Sequence, residues 1–343
     1  MRTGDSVPAM MRASVLIERG RLESQKREVP VPLPDEVLIR VASVGVCGSD
    51  VHYYRHGRIG EFVVEAPLIL GHEASGRVVA VGDRVDPARI GDRVAVEPQR
   101  PCRRCRLCKT GRLNLCPSMR FYATPPVDGA FCEYVTIGAD FAHAVPDSVS
   151  DDAAALLEPL SVGVWAVRKA RLGSGSTVFV AGAGPIGIMT VVAARAAGAT
   201  GVVVSDPLPS RRARVAQFGA TEVIDPAAGD LPVTVDAFID CSGAAVAVRS
   251  GLGAVAPGGW VVLVGAAAGQ MRLPLSVIQA RELNVTGVFR YVDTWPAAAA
   301  IAASGGVSLD ALVTARYGLS QVREALESGQ QPGGVKSIVE PWR

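Results

Sequence analysis

Four side chains in the first half of the sequence could together hold a divalent metal ion. Cys47 offers a thiolate, His72 and Glu73 follow with an imidazole and a carboxylate, and Glu158 adds a second carboxylate. Zinc accepts this mixture of sulfur, nitrogen and oxygen donors in catalytic sites, where it keeps a fourth position open for a substrate oxygen. Because the residues are far apart in the sequence, their convergence is a prediction. Cys47 and His72 could equally be ordinary buried residues.

Two polar residues close to Cys47 suggest a route by which a proton could leave such a site. Ser49 could hydrogen-bond a substrate oxygen, and the imidazole of His52 could relay the proton toward solvent. Glu158, through a metal-bound water, is a second candidate for the same role. His52 could instead be a surface residue, and the sequence does not choose between these routes.

A glycine motif in the second half of the sequence is typical of a dinucleotide-binding turn. Gly182, Gly184 and Gly187 stand between an apolar strand at 178–181 and a helix that opens with Pro185 and Ile186. The first glycine permits a tight turn, the second lets the backbone approach a pyrophosphate, and the third allows close packing of helix on strand. The motif alone is weak, and a turn without a ligand is the alternative.

The choice between NAD and NADP depends on the end of the next predicted strand. Asp206 stands there, and a carboxylate at this position binds the ribose hydroxyls and repels a 2′-phosphate, which favours NAD. Arg211 and Arg212 work against this choice, because a guanidinium could accommodate the phosphate.

Four cysteines have the local spacing of a second, tetrathiolate zinc site. Cys102, Cys105, Cys108 and Cys116 would saturate the metal, so we predict a structural role. Basic residues surround the segment, which would suit a nucleic-acid-binding knuckle. However, the loop lacks aromatic residues for base stacking, and cations near four thiolates are expected to offset negative charge.

The bulk properties indicate a globular enzyme of two domains. The chain has 343 residues, 49% of them hydrophobic, and a net charge of +2 that argues against a nucleic-acid or membrane partner. Seven cysteines, four of them clustered, and no visible secretory signal predict a reducing cytoplasmic location. The uncharged stretch 172–194 is long enough to cross a membrane, but its glycines and Pro185 favour a strand, a turn and a helix.

The order of predicted elements gives the fold class, α/β with a mainly β part. Residues 12–158 contain short strands separated by Gly and Pro, which predicts a barrel-like domain. From about 176, apolar strands alternate with helices, which predicts a doubly wound parallel sheet. We predict helices near 295–304 and 320–328, outside that sheet. Residues 1–11 are expected to be a flexible leader.

Several runs of residues resemble one family, the medium-chain zinc-dependent dehydrogenases, and within it the sorbitol or polyol branch. The matching runs cover nearly the whole chain after residue 11, at 45–53, 57–60, 70–76, 91–98, 123–126, 158–163 and 288–291. The resemblance implies a GroES-like catalytic domain at 1–158, a Rossmann domain at 159–290, and a C-terminal segment at 291–343 that completes the catalytic domain. It also implies an assembly of several copies, expected to be a homotetramer.

The resemblance implies roles for individual residues as well. Cys47, His72 and Glu73 would bind the catalytic zinc with water as the fourth ligand, and Glu158 would lie beside the metal. Substrate hydroxyls would meet Tyr53, Glu158, Arg290 and Tyr291. The substrate pocket would be lined by Phe121 and Thr124. NAD would contact a further set beyond the glycine turn, namely Asp206, Arg211, Ser242, Val264, Val288, Phe289 and Arg290.

Together these features predict an enzyme with two zinc ions per chain that reversibly oxidises a secondary hydroxyl of a polyol to a ketose. The hydride would pass to NAD. One alternative is a related zinc dehydrogenase acting on threonine, butanediol or another secondary alcohol. A second is a non-enzymatic binding protein on the same fold, against which the complete Cys47, His72 and Glu73 set argues. A nucleic-acid-binding zinc knuckle is the most distant alternative.

Overall fold

A computed structural model describes residues 2–3, 7–228, 234–266, 269–329 and 333–343, with backbone only for residues 2–3. The chain forms two compact units. The first unit contains Met1–Glu158 and Ala302–Arg343, and the second contains Pro159–Ile301. The chain passes between the units at 158/159 and at 301/302. The domain boundaries at 158 and 290 stay predictions.

Short strands dominate the chain up to residue 155. They are β1 (Arg2–Thr3), β2 (Met10–Glu18), β3 (Arg21–Glu28), β4 (Glu36–Gly45), β5 (Arg58–Ile59), β6 (Phe62–Val63), β7 (Leu68–Ile69), β8 (Glu73–Val81), β9 (Arg93–Val96), β10 (Gln99–Arg100), β11 (Arg120–Phe121), β12 (Tyr134–Gly138) and β13 (Ala142–Ala144). The α-helices of this part are α1 (Gly48–His56), α2 (Arg106–Lys109) and α3 (Asp151–Ala155).

Strands and helices alternate through the second unit. After α4 (Leu157–Lys169) the order is β14 (Thr177–Ala181), α5 (Pro185–Ala196), β15 (Gly201–Ser205), α6 (Pro209–Val215), β16 (Glu222–Ile224), β17 (Val235–Asp240), α7 (Ala245–Ala254), β18 (Val255–Leu263), α8 (Leu275–Ala280) and β19 (Asn284–Gly287). The rest of the chain forms α9 (Trp295–Ala303), β20 (Val313–Gly318), α10 (Val322–Ser328) and β21 (Lys336–Glu340). Short 3-10 helices lie at Pro87–Arg89, Leu113–Leu115, Ala139–Phe141, Ala216–Phe218, Pro226–Ala228, Leu309–Leu312 and Leu319–Gln321.

The first unit is built on an eight-stranded sheet that combines both ends of the chain. Its order is β13-β9-β8-β4-β21-β20, with β1 also paired to β8 and β12 to β4. A separate three-stranded sheet has the order β3-β2-β7. The strand β21 pairs with the end of β4, where Ile338 is opposite Gly45. The C-terminal segment therefore lies beside the strand that leads into Cys47.

The prediction of a flexible leader at 1–11 is wrong for the two parts of it that lie in strands, Arg2–Thr3 in β1, which pairs with β8, and Met10–Met11 in β2. Met10 and Met11 belong to β2, where they pair with Glu28 and Arg27. Met11 is buried and starts an alternating apolar face that continues through Ala13 and Val15. Burial of that face holds the strand in the sheet, a pattern that the exposed Met10 and Arg12 obscured in the sequence.

The second unit is a six-stranded parallel sheet with the order β16-β15-β14-β17-β18-β19. The strands β14, β15 and β17 are buried along most of their length, as expected for a parallel sheet with both faces covered, whereas the edge strand β19 is mostly exposed. The strand order reverses at β14, and the crevice beside such a reversal is where α/β sheets bind ligands. Among the described residues no helix has the length and apolar character needed to span a membrane. The uncharged stretch 172–194 is β14, the glycine turn and most of α5.

Candidate active site

The metal-ligand candidate Cys47 lies at the N-terminal end of α1, where it is the N-cap residue. Asp50, one turn into the helix, accepts a hydrogen bond from the Cys47 backbone N–H at 3.0 Å. The helix N-terminus carries partial positive charge at this position. The helix start thus fixes the position of a potential metal-binding sulfur.

The buried carboxylate of Asp50 joins two separate segments of the site. Its Oδ1 accepts a hydrogen bond from the Gly71 N–H at 2.9 Å and lies 3.5 Å from His72 Nδ1. Burial alone would lower the pKa of His72, but the charges of Asp50 and Cys47 raise it well above its ordinary value. Burial would raise the pKa of Asp50, and His72 together with the two backbone donors lowers it. Asp50 therefore orients the imidazole.

Glu73 begins β8 and is fully buried beside an equally buried lysine. Lys336 Nζ donates a hydrogen bond to Glu73 Oε1 at 2.6 Å and to the Val46 carbonyl at 2.9 Å. The second carboxylate oxygen, Oε2, is 2.5 Å from Nζ but has no partner in hydrogen-bonding geometry among the described residues. Burial would lower the pKa of Lys336, whereas the charges of Glu73 and Cys47 raise it above the ordinary value.

The predicted convergence of three ligands is present in the first unit. One donor atom each from Cys47, His72 and Glu73 lies within 4.8 Å of the other two. Glu158 is not a member of this cluster, but it is buried near the start of α4 and its charge acts on Lys336. The ring of Phe121 lies 5.7 Å from the His72 ring and contributes an apolar wall.

The other predicted residues of the first unit differ in exposure. Ser49 is half-buried on α1, and Tyr53 is buried on the same helix. His52 is exposed and its ring packs 4.5 Å from that of His56, so the surface alternative stays open beside the proton-relay role. Thr124 is half-buried, and its N–H donates to the Phe121 carbonyl at 3.1 Å.

The four clustered cysteines form the second potential metal site. One sulfur from each of Cys102, Cys105, Cys108 and Cys116 lies within 4.8 Å of the others. Backbone N–H groups point at these sulfurs, as from Cys102 to Cys116 at 3.3 Å and from Cys105 to Cys102 at 3.4 Å. Donation from the Arg104 and Cys105 amides lowers the pKa of the Cys102 thiol to about 6. Such amide donors stabilise thiolates, the form that binds zinc.

The glycine turn of the second unit lies where the sheet order reverses. Gly182 has a left-handed φ of +95° at the end of β14, and a side chain at Gly187 would meet the Gly182 carbonyl oxygen at 1.8 Å. The helix α5 starts at Gly184 with a proline in its first turn and without a side-chain hydrogen bond at its cap. Its first N–H groups are therefore available to an anion.

Asp206 ends up directly beside this turn, as the spacing predicted. Its Oδ2 accepts a hydrogen bond from the Ala183 N–H and its Oδ1 accepts one from the Leu208 N–H, both at 2.9 Å. Arg212 is already engaged, because it donates to two carbonyls and forms an ion pair with Asp225 at 2.8 Å. Arg211 approaches Asp206 only to 3.8 Å and is the guanidinium that remains near the turn.

The remaining cofactor candidates lie at or beyond the carboxyl ends of neighbouring strands. Ser242 follows β17 and donates a hydrogen bond to Asp240 at 2.6 Å. The Val264 N–H donates to the Asp240 carbonyl and the Val288 N–H donates to the Leu263 carbonyl, both at 2.9 Å. These contacts place the segments after β17, β18 and β19 side by side.

The segment after β19 carries the last three predicted site residues. Phe289 is 49% exposed, and the Arg290 guanidinium lies 4.8 Å from its ring centre. Arg290 has a left-handed φ of 55°, which is uncommon for a residue with a side chain. Tyr291 is fully buried and its ring meets that of Trp295 edge-on at 6.0 Å. Their roles toward substrate and cofactor stay predictions.

Sequence reasoning did not assign a role to two residues that organise the site. Asp50 could have been found, because a carboxylate three residues after an N-cap is the spacing of a capping box. Lys336 stands 263 residues from Glu73 and belongs to no motif, so only the pairing of β21 with β4 reveals it.

Comparison with known proteins agrees with both the fold and the donor clusters. Residues 33–147 match the family described as Alcohol dehydrogenase GroES-like domain, and residues 185–304 match Zinc-binding dehydrogenase. The class is therefore that of two-domain alcohol-dehydrogenase-type oxidoreductases. The chain belongs to the zinc-binding dehydrogenase family, which confirms the predicted fold class and the family resemblance.

Individual relatives narrow the comparison further. The chain is 44% identical over 337 residues to a sorbitol dehydrogenase of Bacillus subtilis (strain 168), covering 95% of each chain. It is 42% identical over 331 residues to the sorbitol dehydrogenase of Bos taurus, covering 93% of each. A solved structure of a putative zinc-binding dehydrogenase from Sinorhizobium meliloti 1021, bound to NADP, aligns with a TM-score of 0.90 at 32% identity, covering 97% of this chain and all of the other.

Proposed function

We propose that the protein is an NAD-dependent zinc enzyme that reversibly oxidises a secondary hydroxyl of a polyol, of the sorbitol or xylitol type, to a ketose. The observation that carries the proposal is the buried cluster of one thiolate, one imidazole and one carboxylate in Cys47, His72 and Glu73. The similarity to sorbitol dehydrogenases over 93–95% of the chain supports a polyol as the substrate.

The residues of the first cluster fit a catalytic zinc ion. Three donors of mixed type leave one coordination position for a substrate oxygen, and Glu73 Oε2 is a buried oxygen without a hydrogen bond among the described residues. The four cysteines fit a structural zinc ion, because they saturate it. We therefore propose two zinc ions per chain.

The second unit fits NAD better than NADP. The buried carboxylate of Asp206 lies at the turn, where it can accept hydrogen bonds from ribose hydroxyls and would repel a 2′-phosphate. Of the two arginines, Arg212 is held by Asp225 and backbone carbonyls, so Arg211 alone is left to attract a phosphate. The balance of charge at the turn favours NAD.

When bound, zinc would supply a Lewis acid to the substrate hydroxyl and NAD would supply the hydride acceptor. The side chains of the protein would orient the substrate and receive its proton. Phe121 borders the cluster and can exclude water, while Tyr53, Glu158 and Arg290 are proposed to meet the neighbouring hydroxyls of a polyol. A simple alcohol lacks these additional hydroxyls and would leave the polar side chains at those positions without hydrogen bonds, so it would be a poorer substrate. The proton would leave through Glu158, or through Ser49 and His52.

The location and assembly of the enzyme are part of the same proposal. Seven cysteines without a disulfide among the described residues suit a reducing, cytoplasmic compartment. Family resemblance suggests a homotetramer, which light scattering would test directly.

The experiment that tests the function is NADH formation with D-sorbitol, xylitol, galactitol, L-threonine, 2,3-butanediol and ethanol, before and after treatment with a chelator. We expect chelator-sensitive activity on the polyols. Activity confined to threonine or butanediol would keep the zinc mechanism and remove the polyol assignment. If none of the six compounds supports NADH formation while zinc remains bound, the result would favour the binding-protein alternative.

A further inference from the structure

The ammonium group of Lys336 meets the predicted metal-ligand cluster from the C-terminal strand β21. Lys336 is only 3% exposed and Glu73 is 0% exposed, so the charged pair is shielded from water. Nζ touches Glu73 Oε1 at 2.6 Å, Oε2 at 2.5 Å and the Val46 carbonyl at 2.9 Å. A buried ammonium group is costly unless it is paired and hydrogen-bonded, and these three contacts supply that pairing.

The same carboxylate is required by two different cations. A donor atom of Glu73 lies within 4.8 Å of those of Cys47 and His72, which makes it part of the potential metal site. Both of its oxygens also lie within 2.6 Å of Lys336 Nζ. A positive charge that shares a carboxylate with a metal ion lowers the electron density that the carboxylate can offer that ion. The lysine and the metal are therefore competitors for Glu73.

The backbone around Glu73 is shaped so that this competition can occur. Gly45 stands opposite Glu73 in the pairing of β4 with β8. A Cβ atom at Gly45 would lie 2.0 Å from Glu73 Oε2, so the absence of a side chain creates the space that the carboxylate occupies beside Lys336. On the other side of β4, β21 pairs at Gly45 and Val44, which brings Lys336 within reach.

We propose that Lys336 is a positioning residue that competes with the catalytic zinc for Glu73 and thereby lowers the affinity of that site for zinc. This inference rests on the proposed function, because it takes the Cys47, His72 and Glu73 cluster to be a zinc site. In the metal-free protein Lys336 neutralises Glu73 and holds it in place. Zinc binding must weaken that ion pair, and the lost interaction is subtracted from the zinc affinity by thermodynamic linkage.

The test replaces Lys336 with methionine, which keeps an unbranched side chain one atom shorter and removes the charge. The affinity of the catalytic site for zinc is measured by competition with a chelator. Mass spectrometry counts the zinc ions per chain, and the Cys47→Ser variant identifies which of the two ions is lost. We expect Lys336→Met to raise the affinity of this site by about tenfold or more, since close buried charge pairs couple by about 1.5 kcal/mol or more. Lys26→Met, on the exposed strand β3 of the same unit, is the matched control.

The sign of the effect separates this role from a merely structural one. A purely structural lysine would, when removed, disorder the site and weaken zinc binding, and that result would overturn the inference. In a Glu73→Gln background, where the competed charge is absent, Lys336→Met should change the affinity by less than about twofold. An undiminished effect in that background would also overturn it.

Two further measurements keep the outcome decisive. If the metal-free Lys336→Met protein does not fold, the rate of zinc release from the loaded protein into excess chelator replaces the equilibrium measurement, and slower release than in the wild type is expected. If the wild-type protein binds no more zinc than Cys47→Ser, the proposed catalytic zinc site is itself wrong. If the wild-type protein binds zinc at this site and Lys336→Met has the same zinc affinity, the proposed competition by Lys336 is wrong and the proposed function is unaffected.

Discussion

A substitution at Glu158 should affect turnover without affecting the affinity for NAD. It is buried in the first unit, its charge reaches Lys336, and the cofactor candidates belong to the second unit. We expect Glu158→Gln to lower turnover about 100-fold or more, the usual scale for losing an acid–base group, and to leave the dissociation constant of NAD within about twofold. Steady-state kinetics and cofactor titration measure the two quantities.

A matched control for that substitution is Glu18→Gln, because Glu18 is exposed on β2 and forms an ion pair with Arg21 at 3.1 Å. Its turnover should equal that of the wild type. Equal losses of turnover and cofactor affinity in Glu158→Gln, or no loss of either, would count against the role assigned to Glu158.

Asp206 is expected to decide cofactor preference. Replacing it with serine removes the negative charge beside the turn and leaves Arg211 free to attract a 2′-phosphate. We expect kcat/KM for NAD to fall about 10- to 100-fold, the scale of a lost hydrogen bond to a charged group, and kcat/KM for NADP to rise.

The ratio of the two kcat/KM values is the informative readout for Asp206. Asp206 also accepts hydrogen bonds from the Ala183 and Leu208 amides, so damage to the turn would weaken both cofactors together. Glu222→Gln, which removes a negative charge from the exposed start of β16 in the same unit, is the control and should leave the preference for NAD intact. A fall in activity with both cofactors at an unchanged ratio would remove Asp206 as the discriminator.

Single residues also show where reading the sequence reaches its limit. The three-donor cluster and the glycine turn were predictable, because metal ligands and phosphate-binding turns require particular residue types at particular spacings. Lys336 was not, because a lone lysine in a strand is usually exposed and its partner is brought near only by the order of strands in the sheet. Long-range pairings of this kind have no local signature.

At the scale of elements, the contact between α5 and β14 depends on one glycine. A Cβ atom at Gly187 would lie 1.8 Å from the Gly182 carbonyl oxygen, which is backbone and cannot rotate away. We expect Gly187→Ala to destabilise the second unit by about 1–3 kcal/mol, as overpacking does, and to weaken NAD binding. Calorimetry and cofactor titration would measure these losses.

The control for that change is a second helical glycine with open surroundings. Gly253 is exposed on α7 and a Cβ atom there would meet nothing within 4 Å. Gly253→Ala should stabilise the protein by about 0.4–1 kcal/mol, because it reduces the freedom of the unfolded chain. If both substitutions had the same effect on stability, close packing at Gly187 would not be the cause.

The elements themselves were predicted with uneven success, and the reason is packing. The alternation of strands and helices from β14 to β19 was visible as apolar runs separated by amphipathic or alanine-rich stretches. The start of β2 at Met10 was not, because Pro8 and the exposed Met10 and Arg12 give its first residues no continuous apolar run. The predicted helices near 295–304 and 320–328 correspond to α9 and α10.

At the scale of the whole molecule, the two kinds of site are divided between the two units. Both donor clusters lie in the first unit, whereas the glycine turn and Asp206 lie in the second. Loss of metal should therefore remove catalysis without removing the residues that hold the cofactor.

That division gives a prediction for treatment with a chelator. We expect two zinc ions per chain to be removed in two phases. Activity should be lost in the phase that belongs to the Cys47 cluster. The dissociation constant of NADH, measured by fluorescence, should change by no more than about threefold during that phase. The threefold bound corresponds to about 0.6 kcal/mol, which allows for indirect effects between separate units. Re-addition of zinc should restore turnover.

The Cys105→Ser variant assigns the second phase to the four-cysteine cluster. It should hold one zinc ion instead of two and melt at a lower temperature, because a metal that binds only the folded state stabilises that state. A chain that lost NADH binding in step with its catalytic zinc, or kept full turnover after both ions were gone, would contradict the division of labour between the units. The latter result would also remove zinc from the proposed chemistry.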